Sequence, residues 1–462
     1  MKVFVAGGTG VLGTRAVVRL IAAGHDVTAI ARSPEKAAWL RSVGARPVSV
    51  SLFDRDGLRD AIAGHEAVVN LATKIPPTSQ AIRKSAWDEN ERIRTEGSTA
   101  LTDAALAAGA RTFVQESIAF LYGDHGDRVV DAASTPIVDS QFSESVRTAE
   151  ANNARFAEQS GGRGVVLRFG MFWANGSTHT ETFFEAARRG VSADFLGPDD
   201  YLPMIDVDDA AAAVVAALEA PSGVYDVVED EPLPRREISR TLARVVGRKR
   251  LTKPPAVGIS KVGPHLTWSQ RVSNQRFRDA TGWRPASRNG REIVAKAARE
   301  SGIEPALKTP VRLLLWYFVA VGLMLGVYAE FFPQAFYDDF PMGRQWVAHD
   351  GPYNEHLIRD FGAMNLALAA VAICALAFAS LLVARTTAIA WLVFSIPHAL
   401  YHTRNLEHYD TADKIGNMWT LWFGVLLAAE LLRRTLAQPQ AQPVLDIRDE
   451  AVAESTAVQQ SP

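Results

Sequence analysis

Lys2-Val3-Phe4-Val5-Ala6 runs straight into Gly7-Gly8-Thr9-Gly10-Val11-Leu12-Gly13, and Thr14 to Ala23 follows as an apolar-faced helical segment closed by Gly24. A short apolar strand, a glycine turn and a helix start, in that order, are what a dinucleotide pyrophosphate needs. Gly7 permits the tight turn, and Gly10 lets backbone N–H groups approach phosphate without a Cβ in the way. Gly13 lets the helix pack close, with its positive N-terminus facing the anion. Cofactor contacts are therefore expected at Gly7, Gly10, Val11, Leu12 and Gly13.

The next strand, His25 to Ala31, ends in Arg32-Ser33, where an adenosine ribose would lie. An acidic residue there accepts from a free 2′-hydroxyl, whereas arginine accommodates a 2′-phosphate, so Arg32 favours NADP over NAD. The alternative is a solvated arginine opening a helix.

The 462 residues, 48% hydrophobic and 22% charged, have length for two or three domains. A net charge of −2 does not suggest a nucleic-acid partner. The single cysteine, Cys374, excludes an internal disulfide. No charged segment followed by an apolar one precedes the first strand, so the N-terminal domain is expected to stay in the cytosol. Strand-like and helical runs alternate through roughly the first three hundred residues, the pattern of a doubly wound parallel sheet. Ala67 to Ala72, Thr112 to Glu116 and Gly164 to Phe169 read as further buried strands, and Thr95 to Ala108 as a helix.

Several segments together resemble the extended short-chain dehydrogenase/reductase superfamily, in particular its NAD-dependent epimerase/dehydratase branch. They are the glycine turn, Asn70-Leu71-Ala72, Asn90 ahead of Thr95-Glu96-Gly97, Ser117 with Tyr122-Gly123, and Val166-Leu167-Arg168-Phe169-Gly170. Met204 to Asp209, Gly223 to Val227 with Glu231-Pro232 and Arg236-Glu237, and Thr281-Gly282-Trp283-Arg284-Pro285 extend the likeness to about residue 302. The resemblance implies a Rossmann-like α/β domain over 1–305, with a small substrate lobe over about 170–300. It places further cofactor contacts at Leu71 and Ala72, and at Leu52, where the family commonly has an aspartate for the adenine amino group. Asp54 reads instead as a helix cap.

The family's chemistry uses a Tyr-x-x-x-Lys pair, in which lysine lowers the tyrosine pKa and tyrosine moves the proton. Counting back from Leu167-Arg168, that pair falls at Phe142 and Val146, and neither does acid–base work. Ser117 stands where the family's substrate-orienting serine stands and is the catalytic candidate; Tyr122 belongs to the Tyr-Gly pair and is not the catalytic tyrosine, although its phenol could lie near the site. Glu144, Arg147 and Glu150 are the nearest polar replacements, but on a helix they read as a solvated face. Phe172, Trp173, Asn175, Phe183, Trp268 and Arg271 could line a substrate lobe, each aromatic having core as its alternative.

After Pro310 the composition changes. Leu313 to Ala329, Phe361 to Ala384, Ala388 to Tyr401 and Ile415 to Leu432 are apolar, and the second is long and uncharged. The expectation is an all-α bundle of four membrane-spanning helices over 306–436, embedded in lipid, in a multi-pass cell-membrane protein with a cytoplasmic N-terminal domain. Residues 437–462 read as a disordered tail. His398 and His402, four apart, are the metal or haem candidates, against ordinary bonding to interfacial backbone or acids. Two functions are weighed: a membrane-anchored oxidoreductase or epimerase-like enzyme acting on a small, lipophilic or membrane-proximal substrate, and a non-catalytic NADP-binding module.

Overall fold

The computed structural model describes residues 1–76, 80, 83–140, 143–192, 197–252, 268–303 and 307–437. Its eleven strands are β1 Lys2–Ala6, β2 Asp26–Ile30, β3 Arg46–Val48, β4 Ala67–Asn70, β5 Thr112–Ile118, β6 Val129–Val130, β7 Arg163–Phe169, β8 Met171–Trp173, β9 Met204–Asp206, β10 Gly223–Val227 and β11 Arg271–Val272. Seven of them form one sheet in the order β10-β7-β5-β4-β1-β2-β3, and every pairing within it is parallel.

Burial on both faces explains why these strands read as unbroken apolar runs. Alternation along β1 sends Val3 and Val5 to one core and Phe4 and Ala6 to the other. The first core holds Leu12, Ala16, Val17 and Leu20 of helix Val11–Ala22, with Ala210, Val214 and Ala217 of helix Val207–Ala217. The second holds Leu58 and Ile62, with Leu101 and Ala105 of helix Ser98–Ala107.

The chain winds outward from β1 to β2 and β3, then returns to β4 on the other side of β1. The order therefore reverses between β1 and β4, and ligands of open parallel sheets bind in the crevice beyond such a switch point. The glycine turn ends β1, and Asn70-Leu71-Ala72 ends β4.

A smaller lobe packs Trp173, Phe183, Phe184, Ile238, Leu242 and Ile293 together. Trp173 and Phe183 therefore serve as core. Asp206 caps helix Val207–Ala217 by accepting from the N–H groups of Asp208 and Asp209. Asp209 in turn accepts from Ala286 and Ser287 N–H, which fastens the turn that Thr281 to Pro285 begins.

Residues 304–441 separate from the first compact unit; within them the described part is helical. Among the described residues four helices are long and apolar enough to cross a membrane: Thr309–Phe331, Glu355–Ala377, Leu381–Arg404 and Thr411–Leu436. Their surfaces are inverted relative to a water-soluble bundle, with Leu313, Trp316, Val393, Ile415, Trp419 and Leu426 more than half exposed. The apolar run Phe361 to Ala384 is not one helix. Ala379 takes φ +48°, and Ser380 caps a new helix by accepting from Val383 N–H, so the third span begins at Leu381 and runs through Pro397. Most of the expected C-terminal tail, residues 438–462, lies outside the described residues.

Candidate functional site

Gly7 has φ +79°, and a Cβ there would lie 2.5 Å from the backbone carbon and oxygen of Leu71. The turn is thus wedged against the end of β4, which places Leu71 and Ala72 beside it. A Cβ at Gly13 would lie 2.0 Å from the Gly7 carbonyl oxygen, so the helix packs on the turn itself rather than on the strand. Gly10 differs: its Cβ would meet only the Gly7 oxygen, at 3.4 Å. The protein leaves that position open, as an approaching phosphate requires.

Gly10 N–H donates to the Gly7 carbonyl at 3.1 Å, and no side chain caps the helix that starts at Val11. The N–H groups of Val11, Leu12 and Gly13 find no acceptor among the described residues, as the first N–H groups of a helix have no intrahelical partner. With the helix dipole behind them they suit a pyrophosphate. The residues present therefore fit a dinucleotide.

Arg32 is exposed at the C-terminal end of β2, next to β1. It makes no ion pair or hydrogen bond among the described residues, and the following Ser33 caps helix Pro34–Ser42. Leu52 is half-buried and packs under Gly97. Asp54 caps helix Arg55–Ile62, its carboxylate accepting from Gly57 N–H at 3.0 Å, so no carboxylate comes from that position. Asn70 holds the end of β4: its amide donates to Gln115 at 2.9 Å and its oxygen accepts from Ala72 N–H at 3.2 Å. Asn90 accepts from Lys74 N–H at 3.0 Å, tying down the segment that follows.

Ser117, next to last in β5, is fully buried, and its hydroxyl donates to Glu150 Oε1 at 2.7 Å. Glu150 is not on a solvated face; its side chain is only 12% exposed. It takes a two-pronged bond from Arg168, Nε to Oε1 at 2.8 Å and a terminal nitrogen to Oε2 at 2.7 Å. The other terminal nitrogen donates to the Tyr122 hydroxyl at 3.0 Å, and Tyr122 donates to Asp226 Oδ1 at 2.5 Å. Asp226 also accepts from Ala132 N–H at 2.7 Å.

This chain of five side chains ties β5, β7 and β10 to the helix Ser143–Ser160. Burial, then the Asp226 charge, push the Tyr122 phenol up, and burial pushes Asp226 up to about 7. Tyr122 is 1% exposed and acts as a buried bridge. Glu144 and Arg147 do stay exposed. A second buried pair joins Arg94 to both oxygens of Glu116 at 2.9 Å. One sequence signal could have shown that a buried anion was needed, without saying which: an arginine inside a strand as buried as Val166-Leu167-Arg168-Phe169 requires an anion within reach.

At the expected Tyr-x-x-x-Lys pair, Val146 is fully buried against Leu121, with Trp87, Ile118 and Ile137 packed around them. Phe142 lies outside the described residues. An apolar cluster thus occupies the lysine's place.

Glu229 adds a test of burial. It is deeply buried with Met204 N–H on its Oε2 at 2.6 Å, and burial pushes its carboxyl from 4.5 up to about 8. The folded chain keeps a proton here that the unfolded chain loses, so this contribution is full below the unfolded pKa. It is lost as pH rises toward the folded value. Glu229→Gln is expected to gain stability relative to the parent by on the order of 1 kcal/mol per pH unit from pH 5 to 8. Parallel melting-temperature curves across that range would refute it.

In the helical unit, the rings of His398 and His402 meet edge to face at 4.7 Å, and His402 lies 3.5 Å from Asp350. Among the described residues no three His, Cys, Asp or Glu side chains converge as a metal set.

Residues 3–228 match the model of the NAD-dependent epimerase/dehydratase family. A 3-diazoavenalumate denitrifying reductase from a Streptomyces species is 33% identical over 317 residues, covering 64% of this chain and 100% of that one. A ceramide reductase from Caulobacter vibrioides is 28% identical over 274 residues, 58% of this chain and 78% of that one. A human epimerase family protein crystallised with NADPH superposes with a TM-score of 0.55 at 25% identity, covering 64% of this chain and 99% of that one. With its glycine cradle, its parallel sheet and these relatives, the chain belongs to the NAD-dependent epimerase/dehydratase family.

Proposed function

We propose that this protein is a membrane-anchored, NADP-using oxidoreductase of the atypical kind, acting on a lipid-soluble or membrane-proximal substrate from the cytoplasmic face. The observation that carries this reading is the open glycine cradle at the switch point, in a chain that also bears four apolar helices. Two relatives named as reductases support it, one of them for a lipid, ceramide. The cytoplasmic placement follows from where the cofactor is available. The cradle would hold the pyrophosphate on Gly10 to Gly13, Leu71 and Ala72 would border it, and Arg32 would meet a 2′-phosphate.

When bound, the nicotinamide supplies hydride chemistry; the chain's own residues orient the acceptor and exclude water. Ser117 would orient a carbonyl only by exchanging its bond to Glu150 for one to the substrate. Both Glu150 oxygens already accept hydrogen bonds, from Ser117 and Arg168, so this side chain is committed to the network and not turned toward a substrate. Water therefore replaces the missing tyrosine.

Titration of the detergent-purified protein with NADPH and NADH, followed by nicotinamide fluorescence decay against quinones, aldehydes and sugar nucleotides, tests this. Decay dependent on an added acceptor supports the enzyme. The apolar packing of Val146 favours a second reading, a module that binds NADP without turnover, and binding with no decay would select it. Absence of binding would defeat both.

Arg32→Ala is expected to weaken NADPH binding about 10- to 100-fold, the worth of a charge-assisted hydrogen bond, and to leave NADH nearly unchanged. Equal losses for the two cofactors would remove Arg32 from the 2′-phosphate.

A further inference from the structure

We propose that a basic face of the smaller lobe binds an anionic lipid surface. It is built from the outer side of helix Arg235–Val245, the segment Arg248-Lys249-Arg250 that follows it, and Arg188 and Arg189 alongside. This lipid contact rests on the membrane-anchored, cytoplasmic reading and adds a surface that the reading leaves unused.

Between Pro234 and Thr252 seven residues are Lys or Arg and one, Glu237, is acidic, in a chain whose net charge is −2. Residues four apart share one face of a helix. Ile238, Leu242 and, just past the helix, Val246 lie in the lobe's core, so Arg236, Arg240 and Arg244 form the exposed stripe. The next segment is laced to the end of helix Thr178–Arg188. Arg248 Nε donates to the Arg188 carbonyl at 3.1 Å, and Thr252 N–H donates to the Gly190 carbonyl at 2.8 Å. Those bonds set Lys249 and Arg250 near Arg188 and Arg189.

Part of this charge is neutralised within the lobe: Arg236 pairs with Asp199, and Arg240 with Glu237 at 2.7 Å. The side chains of Arg188, Arg189, Arg244, Lys249 and Arg250 make no ion pair or hydrogen bond among the described residues. Helix dipoles account for Arg188 and Arg244, each in the last turn of its helix. They do not account for Lys249 and Arg250, which lie beyond both helices. Like charges held together repel, and the anionic headgroups of a cytoplasmic leaflet complement a cluster of this size.

Two features favour lipid over nucleic acid. No residue between Pro234 and Thr252 is aromatic, so the face offers no platform on which a base could stack. The lobe is also tethered beside lipid. Helix Gly290–Glu300 shares its core through Ile293, Val294 and Ala297, and only residues 301–308 separate that helix from the apolar helix Thr309–Phe331. Fully extended, that linker reaches at most about 28 Å, so the lipid around the apolar helices stays at high effective concentration for the lobe.

The experiment uses the full chain in nanodiscs of phosphatidylcholine, alone or mixed with phosphatidylglycerol. A donor dye sits on Lys249→Cys in a Cys374→Ala background, and the acceptor is a headgroup-labelled lipid. Energy transfer should be at least about twofold higher in the anionic discs and return to the neutral-disc value at about 0.5 M NaCl, where charges are screened beyond a few ångströms. Arg244→Glu/Arg250→Glu should lower the docked-to-free ratio at least about 25-fold, from about fivefold per basic residue, at an unchanged melting temperature. Equal transfer in the two discs, transfer indifferent to salt, or a folded double variant that behaves like the parent would overturn the proposal. So would a labelled DNA duplex that binds the chain in neutral discs while anionic discs raise no transfer, since the face would then belong to nucleic acid. The lipid and salt comparisons keep both arginines, so a double variant that fails to fold leaves the question decidable. A chain that stays outside the discs would overturn the membrane reading alone, and its cosedimentation with anionic but not neutral vesicles, or with neither, would then decide whether the face binds lipid.

Discussion

Gly13→Ala is expected to lower dinucleotide affinity by about 10²-fold, the scale on which an ångström of misplacement is felt at a preorganised site. The added Cβ would lie 2.0 Å from the Gly7 carbonyl oxygen and 2.8 Å from the backbone of Gly8. Both contacts are backbone, so no side chain can swing aside to make room. Either the helix Val11–Ala22 lifts away from the turn or the turn opens, and in both cases the N–H groups of Val11, Leu12 and Gly13 lose their common aim. Gly7 cannot compensate, because its φ of +79° and its contact with Leu71 already hold it against β4. Gly10→Ala is the control: its Cβ meets only one oxygen at 3.4 Å, so the apoprotein should fold normally and lose affinity only through the ligand. Fluorescence titration with NADPH, alongside melting curves, separates the two. Unchanged affinity in Gly13→Ala would mean that the cradle is not the pyrophosphate site.

Arg168→Met is expected to destabilise the first domain by about 3–5 kcal/mol, the cost of leaving one member of a buried ion pair uncompensated. Arg168 is the centre of the network: it grips both oxygens of Glu150 and supports the Tyr122 hydroxyl. Its side chain is 8% exposed and that of Glu150 12%, so water cannot take over. The double variant Arg168→Met/Glu150→Met should recover most of the loss, because it removes the stranded carboxylate as well. Chemical denaturation of parent, single and double variants measures this directly. A single variant as stable as the parent would show that the network carries no net free energy. Ser117 is linked to the same outcome, since its hydroxyl proton rests on Glu150.

Much of this was legible in the chain. Strands buried on both faces must be apolar throughout, so Val3 to Ala6, Val27 to Ile30 and Ala67 to Val69 announced themselves by composition alone. The short strand Arg46–Val48 did not, because an edge strand with one neighbour carries no such constraint. The substitution of the Tyr-x-x-x-Lys pair was equally readable, as Val146 is a matter of identity. The burial of Glu150 was not, since a carboxylate on a helix reads as solvated until the strand that faces it is known.

In the helical half, apolar length marked four spans, whereas the break between the second and third was hidden. Ala379 adopts a left-handed conformation that its composition does not advertise, and Ser380 provides the cap that starts the next helix. Local chemistry, then, was determined by the sequence itself: glycines where a backbone must pass, apolar runs where both faces are covered, an exposed arginine at the end of the second strand. Only the tertiary structure decided which polar side chains meet across elements, such as Ser117, Glu150, Arg168, Tyr122 and Asp226. Those partners lie up to 104 positions apart, and hydrogen bonds depend on distance in space, on which separation along the chain places no restriction.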